Sequence, residues 1–211
     1  VQLTVIVPTR NRADLLAKAV GSLLGRAGVR VLLSDNSTDA EQTERARELS
    51  ASPDWRDVAY LRPPEPLAMA AHWEWALQAA LADAATTHVA VLTDRMVMRR
   101  GGLGPLLDIV AAHPDRVVAY GYDTLRDDRE PPELLESEWT GRLLAIEPRQ
   151  LIGAVRRGVL PVALPRMLNA VGPRAVLERM RERHGSAFGD FAPDIRFMFR
   201  CLDEEEQVLY W

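Results

Sequence analysis

Three short polar clusters in this 211-residue chain carry side chains that can do chemistry. Pro8-Thr9-Arg10-Asn11-Arg12 offers two guanidinium groups just before a stretch with helical periodicity. Guanidinium forks beside a helix start suit a phosphate group. Asp35-Asn36-Ser37-Thr38-Asp39 offers a carboxylate that can accept hydrogen bonds from a ribose or a base. Thr93-Asp94-Arg95 sets a carboxylate and a guanidinium side by side.

Each cluster follows an apolar run, and the runs say what holds the clusters in place. Residues 3–7 read as a buried strand that Pro8 ends. Leu16, Val20, Leu23 and Leu24 then recur at helical spacing, with Gly28 beyond the end. Residues 29–34 predict a second strand, 40–50 a polar helix and 58–61 a third strand. Three prolines keep Arg62-Pro63-Pro64-Glu65-Pro66 irregular. A helix over 68–82 and a strand over 87–92 follow, then an amphipathic helix after Gly101-Gly102 and a strand over 116–120. Such alternation predicts an open, mainly parallel α/β sheet flanked by helices. Ligands of such sheets bind at the carboxyl ends of the strands, where all three clusters fall. Beyond Tyr122 the pattern changes. Residues 126–148 are polar and weakly periodic, and helices are expected at 173–184 and 194–202. The last is expected to place Ile195, Met198, Phe199 and Leu202 on one face. The reading is one domain with two parts: residues 1–122 as a nucleotide-binding α/β half and 123–211 as a mixed second half.

Composition narrows the class. Hydrophobic residues make up 47% and charged residues 27%, as in an ordinary globular domain. No apolar stretch approaches the ~20 residues of a membrane span, and no secretory signal is visible. A net charge of −4 argues against nucleic-acid binding. Cys201 is the single cysteine, which rules out a disulfide scaffold or a multi-cysteine zinc site and suits a reducing, cytoplasmic setting. Lys18 is the single lysine, so phosphate contacts fall to arginine and backbone N–H groups. The first loop is neither a Walker loop nor a Gly-rich dinucleotide turn. His72, His88, His113 and His184 lack metal-ligand spacing.

Val5-Ile6-Val7-Pro8-Thr9-Arg10-Asn11-Arg12 resembles the opening of family 2 glycosyltransferases of the GT-A fold. Asp35-Asn36-Ser37-Thr38-Asp39 resembles that family's second acidic motif. The stretch from Pro66 to Leu77 resembles the helix before its Asp-x-Asp strand, and Thr93-Asp94-Arg95 falls where Asp-x-Asp belongs. Four motifs in order, over about residues 1–122, carry the resemblance. It implies an inverting transfer of a sugar from a nucleotide-diphosphate donor to a hydroxyl acceptor: a glycan, a lipid or a small metabolite. By that analogy Pro8, Thr9, Arg10 and Arg12 line the nucleotide site, and Asp35 with Asn36 meets the base or ribose. Asp94 and Arg95 flank the diphosphate. A divalent cation, Mn²⁺ or Mg²⁺, would sit on Asp94.

Two departures stand out. Arg95 occupies a place where the family commonly has a second carboxylate, which implies weak metal affinity or partial metal dependence. His72-Trp73 stands near where Arg-Asn is common. An inverting reaction also needs a base opposite the leaving group. Gly189-Asp190-Phe191-Ala192-Pro193-Asp194 is the candidate segment, with Asp194 ranked above Asp190. Loops 122–140 and 185–193 are expected to close over the donor. Blander roles compete. Asp194 can be a helix cap and Asp35 and Asp39 turn residues; His72 can be a hydrogen-bonded structural histidine. The run Asp203-Glu204-Glu205-Glu206 reads as solvated surface, and Cys201 as buried. A catalytically degenerate nucleotide- or partner-binding domain and a nucleotidyltransferase are the competing functions.

Overall fold

Every residue of β1 (Leu3–Thr9) is buried, because helices cover this strand on both sides. Val5 and Val7 join a cluster with Leu16 and Val20 of α1 (Ala13–Gly21). Ile6 joins another with Trp73 and Leu77. Successive side chains of a strand point to opposite faces, so a strand covered on both faces reads as one apolar run. Burying one such side chain contributes about 1.5–3 kcal/mol. The computed structural model describes residues 2–137 and 140–211. Part of the expected 122–140 closing loop, residues 138–139, therefore lies outside the described residues.

After α1 come β2 (Val29–Asp35), α2 (Ala40–Ser50), β3 (Val58–Leu61), α3 (Met69–Ala82) and β4 (His88–Val91). Then follow α4 (Leu103–Ala112), β5 (Val118–Ala119), the antiparallel pair β6 (Thr124–Arg126) and β7 (Glu133–Leu135), β8 (Leu144–Ile146) and α5 (Pro148–Arg156). The chain closes with β9 (Ala170–Pro173), α6 (Arg174–His184), α7 (Pro193–Glu204) and β10 (Val208–Tyr210). Among the described residues, eight strands form one sheet in the order β3-β2-β1-β4-β9-β5-β10-β8. β3, β2, β1 and β4 are parallel. β9 runs antiparallel between β4 and β5, β10 pairs parallel with β5, and β8 is antiparallel to β10. The α/β class and the mainly parallel sheet are as expected. Strands from beyond Tyr122 complete that sheet.

Several local expectations are corrected. Pro8 does not end β1; it pairs opposite Ser34 and the strand continues to Thr9. β5 is only Val118–Ala119, not 116–120. The weakly periodic 126–148 region holds β7 and β8, too short and exposed for a pattern to show. The buried side of α7 is Phe197, Met198, Cys201 and Leu202, whereas Ile195 and Phe199 are exposed. The helix is flanked by α3 and α6 on one side and α5 on the other, so its buried arc is wider than one stripe. Glu204 and Glu205 are not solvated: their side chains are 8% and 3% exposed and pair with Arg179, while Arg183 also reaches Glu204. Glu205 further accepts from the Val117 N–H. Among the described residues no helix is long and apolar enough to cross a membrane.

Phe188 fixes the second half against the first. It meets Trp73 edge-on with centroids 5.7 Å apart and lies 5.9 Å from Phe197. Glu74 secures the same loop, accepting from Ala187 N–H at 2.8 Å and from Arg181 at 2.8 Å.

Candidate active site

The candidate site forms where β1 and β4 part. The Leu92 N–H donates to the Ile6 carbonyl at 3.0 Å. The next rung would need an N–H at position 8, and proline has none. Pairing with β4 therefore stops, while β1 continues beside β2 as far as Thr9 opposite Asp35. β2 lies on one side of β1 and β4 on the other, so the chain reverses its build direction here. Such a reversal leaves a crevice at the carboxyl ends of the strands.

Thr9 and Asp94 face each other across this gap. The Thr9 hydroxyl donates to Asp94 Oδ2 at 2.8 Å. Arg12 Nη1 lies 3.3 Å from Asp94 Oδ1, and the Asp94 side chain is 1% exposed. Burial raises the Asp94 carboxyl above its ordinary range, opposed by the Thr9 bond, the charges of Arg12 and Arg95, and the Arg10 backbone N–H. Arg10 and Arg95 are exposed, and neither forms an ion pair among the described residues.

The Asp35 cluster is bolted to the first loop from the other side. Asn11 adopts a left-handed backbone, with φ 55°, a conformation that asparagine tolerates better than most residues. Its N–H donates to Ser37 Oγ at 2.9 Å, and its Oδ1 accepts from the N–H groups of Thr38 and Asp39. Asp39 itself caps α2 through the Gln42 N–H. The Gln42 side chain in turn accepts from the Ala13 N–H at the start of α1.

Asp35 is fully buried. Its Oδ1 accepts from the Ser37 N–H at 2.8 Å, and its Oδ2 accepts from the Tyr60 hydroxyl at 2.9 Å and from Arg62 at 3.3 Å. Burial and the Asp35 charge push the Tyr60 hydroxyl up to about 12. Asn36 exchanges two hydrogen bonds with the Leu67 backbone, 2.8 and 2.9 Å long, and so pins the proline loop before α3. The neighbouring His72 ring lies 2.7 Å from Ser34 Oγ. Burial lowers the His72 pKa to about 4, so the ring is neutral at pH 7.

The expected donor-site residues thus converge on one edge, in distinct roles. Thr9, Arg10, Arg12, Asp94 and Arg95 surround the β1–β4 gap, and Pro8 creates it. Asp35 and Asn36 are buried supports of the adjoining wall. Tyr60 and Arg62, which hold Asp35, were not singled out from sequence. Their signal was present: both fall at the carboxyl end of the third apolar run. Asp194 and Asp190 come from the second half. Asp194 is half-buried in the first turn of α7, whose capping position is Ala192; no side chain caps that helix. Asp190 is exposed and acts electrostatically on Arg200.

A divalent cation wants several oxygen ligands. Asp94 supplies one buried carboxylate with each oxygen already engaged, and its neighbours are arginines. Among the described residues, the single group of three possible metal ligands is His184, Asp203 and Glu204. Arg183 already bridges that Asp203 and Glu204. The residues at the β1–β4 edge do not fit a cation site.

A sheet flanked on both faces with a polar crevice at its switch point is the layout in which open α/β domains place their ligands. Residues 4–161 match the glycosyl transferase family 2 profile, and the chain belongs to that family. The match reaches past Tyr122, where the motif-based resemblance ended. The fold is that of S. aureus TarS. The TarS 1–349 structure in complex with UDP-GlcNAc superposes with a TM-score of 0.70 at 13% identity, over 100% of this chain and 56% of that one. Its complex with UDP gives 0.70 and 13%, over 100% and 58%. A further TarS structure gives 0.67 and 13%, over 100% of this chain and 35% of that one. This chain thus spans less than two thirds of the TarS chains it resembles. No curated protein sequence matches it.

Proposed function

We propose that this chain is a glycosyltransferase catalytic domain that binds a nucleotide-diphosphate sugar at the β1–β4 edge and transfers the sugar with inversion. The observation that carries this is the convergence of Thr9, Arg12 and Asp94 at the topological switch point of a family 2 fold. Arg10 and Arg95 are exposed beside them: the Arg95 charge acts on Asp94, and Arg10 meets Asp94 through its backbone N–H. A diphosphate in the crevice meets guanidinium groups, while the buried Asp35 network keeps the adjoining wall rigid.

In the proposed reaction the acceptor hydroxyl attacks the anomeric carbon from the face opposite the diphosphate. The new carbon–oxygen bond forms as the bond to the diphosphate oxygen breaks. The hydroxyl proton passes to a carboxylate, and the nucleoside diphosphate leaves with the bonding pair. Asp194 is proposed as that base. Its half-buried place in the first turn of α7 ranks it above the exposed Asp190. The acceptor lies on the side of residues 123–211. A cytoplasmic location accords with the lone, buried, free Cys201.

The test is turnover of a panel of nucleotide sugars against a glycan, lipid and small-molecule acceptor set, beginning with UDP-GlcNAc, the ligand named in the TarS complex. Nucleoside diphosphate release is expected, with loss of about 10²-fold or more in Asp194→Asn. Pyrophosphate release would instead mark a nucleotidyltransferase. Binding of a donor with neither transfer nor hydrolysis would mark a binding domain. Unchanged turnover in Asp194→Asn, with loss in Asp190→Asn, would move the base to Asp190.

A further inference from the structure

We propose that the donor diphosphate is neutralised here by arginine, chiefly Arg95 with Arg12, in place of a divalent cation. The inference rests on the donor-site reading above and deepens it.

A cation bridging protein and phosphate needs a carboxylate with accessible lone pairs. Asp94 is the carboxylate that lies at the gap between β1 and β4, and its side chain is 1% exposed. Thr9 holds one oxygen at 2.8 Å and Arg12 stands 3.3 Å from the other. A metal ion would have to approach a carboxylate that already has a partner at each oxygen, in a setting already crowded with positive charge. Arg10, Arg12 and Arg95 all act on this pocket: Arg12 and Arg95 through their charges on Asp94, and Arg10 through its backbone N–H there and its charge on His72. A divalent cation placed at Asp94 is repelled by the Arg12 and Arg95 charges that act on that carboxylate.

The same arrangement serves an anion well. Arg95 is exposed, directly follows Asp94, and has no ion-pair partner among the described residues. A guanidinium stays charged at every working pH and matches two phosphate oxygens at once. Arg12 is 41% exposed at its side chain, so it can reach outward while Asp94 fixes its direction. Asp94 is then a positioning residue, which orients Arg12 rather than ligating a metal. Charge that develops on the leaving diphosphate is met by donors already in place. Single lysine usage leaves arginine as the natural supplier of these charges.

The experiment is calorimetric titration of the whole chain with UDP, GDP, ADP and CDP, each in chelator and in Mn²⁺. Uridine, guanosine, adenosine and cytidine serve as phosphate-free references. At least one diphosphate is expected to bind in chelator with an affinity within about threefold of that in Mn²⁺. Arg95→Ala is expected to weaken that diphosphate about tenfold or more while leaving its nucleoside within about twofold. Arg95→Lys, which keeps the charge and loses the planar fork, is expected to fall between. Arg95 is exposed, so these variants fold, and thermal unfolding checks it. Binding lost in chelator and restored by Mn²⁺ would overturn the inference and leave the donor-site reading standing. So would Arg95→Ala with wild-type diphosphate affinity. No binding of any diphosphate under either condition would overturn both.

Discussion

Thr9 and Asp94, 85 residues apart in sequence, are joined by a 2.8 Å hydrogen bond across the opening between β1 and β4. The bond exists because Pro8 ends one ladder and lets the other run on. It gives the buried Asp94 carboxylate a neutral donor beside the charges of Arg12 and Arg95.

Thr9→Val keeps the side-chain shape and removes the donor. Leaving a buried acceptor short of a partner costs about 1–3 kcal/mol, so urea unfolding at neutral pH is expected to show a loss of that size. The sign with pH follows from the raised Asp94 pKa. The folded state holds that proton more tightly than the unfolded state, so the ionised group costs stability as pH rises through the carboxylate range. Without Thr9 the pKa rises further and the cost grows. The deficit of Thr9→Val is therefore expected to shrink in acid, where Asp94 is protonated in both proteins. A deficit that is constant with pH would show that the hydroxyl does not act through Asp94.

Tyr60→Phe removes one of the donors to the buried Asp35. Hydrogen bonds to charged groups contribute about 1.5–3 kcal/mol, and the expected loss in unfolding free energy lies in that range. Arg62 and Ser37 still hold the carboxylate, so the fold survives. Nucleotide affinity is expected to drop modestly because Asp35 steadies the wall of the site. A Tyr60→Phe protein as stable as wild type would show that Arg62 and Ser37 alone satisfy Asp35.

His72 makes the acid limb of stability steeper. Burial is the largest cause of its pKa falling to about 4; Arg10 adds to it and Asp35 opposes it. A histidine with a depressed folded pKa takes up its proton more readily when unfolded. Its penalty is absent above about 6.5, grows as pH falls, and is complete below about 4. Over that window it amounts to roughly 3 kcal/mol, so wild type should lose up to that much more stability than His72→Gln between pH 7 and pH 4. Parallel stability curves for the two proteins, measured by denaturant unfolding, would remove His72 from the account.

Much of the fold was legible in the sequence for a local reason. β1, β2 and β4 are covered on both faces, and full cover writes a short apolar run. α3 announced itself by spacing, with Trp73, Ala76, Leu77 and Ala80 on one side. The polar sequels of the strands mark their ends, which is why the clusters at Thr9, Asp35 and Asp94 could be read together. Family membership followed from the order of these motifs. Short or exposed strands left no such record. β7 and β8 have three residues each, with exposed apolar side chains and no steady alternation. The faces of α7 were misassigned because helices cover it on two sides, α3 and α6 on one and α5 on the other, which buries a wider arc than one apolar stripe.

The sequence by itself determined which residues are buried along the fully covered strands β1, β2 and β4, and where polar side chains gather. Those facts depend on neighbours one to four positions away. Strand order was decided only by tertiary structure, because pairing joins segments the chain separates. β9 lies between β4 and β5 although β6, β7, β8 and α5 come between β5 and β9 in sequence. The partners of each charge were decided in the same way. Asp35 ends in the grip of Tyr60 and Arg62, and Asp94 in that of Thr9 and Arg12, because burial makes an unpartnered carboxylate costly and only the folded sheet brings donors within reach.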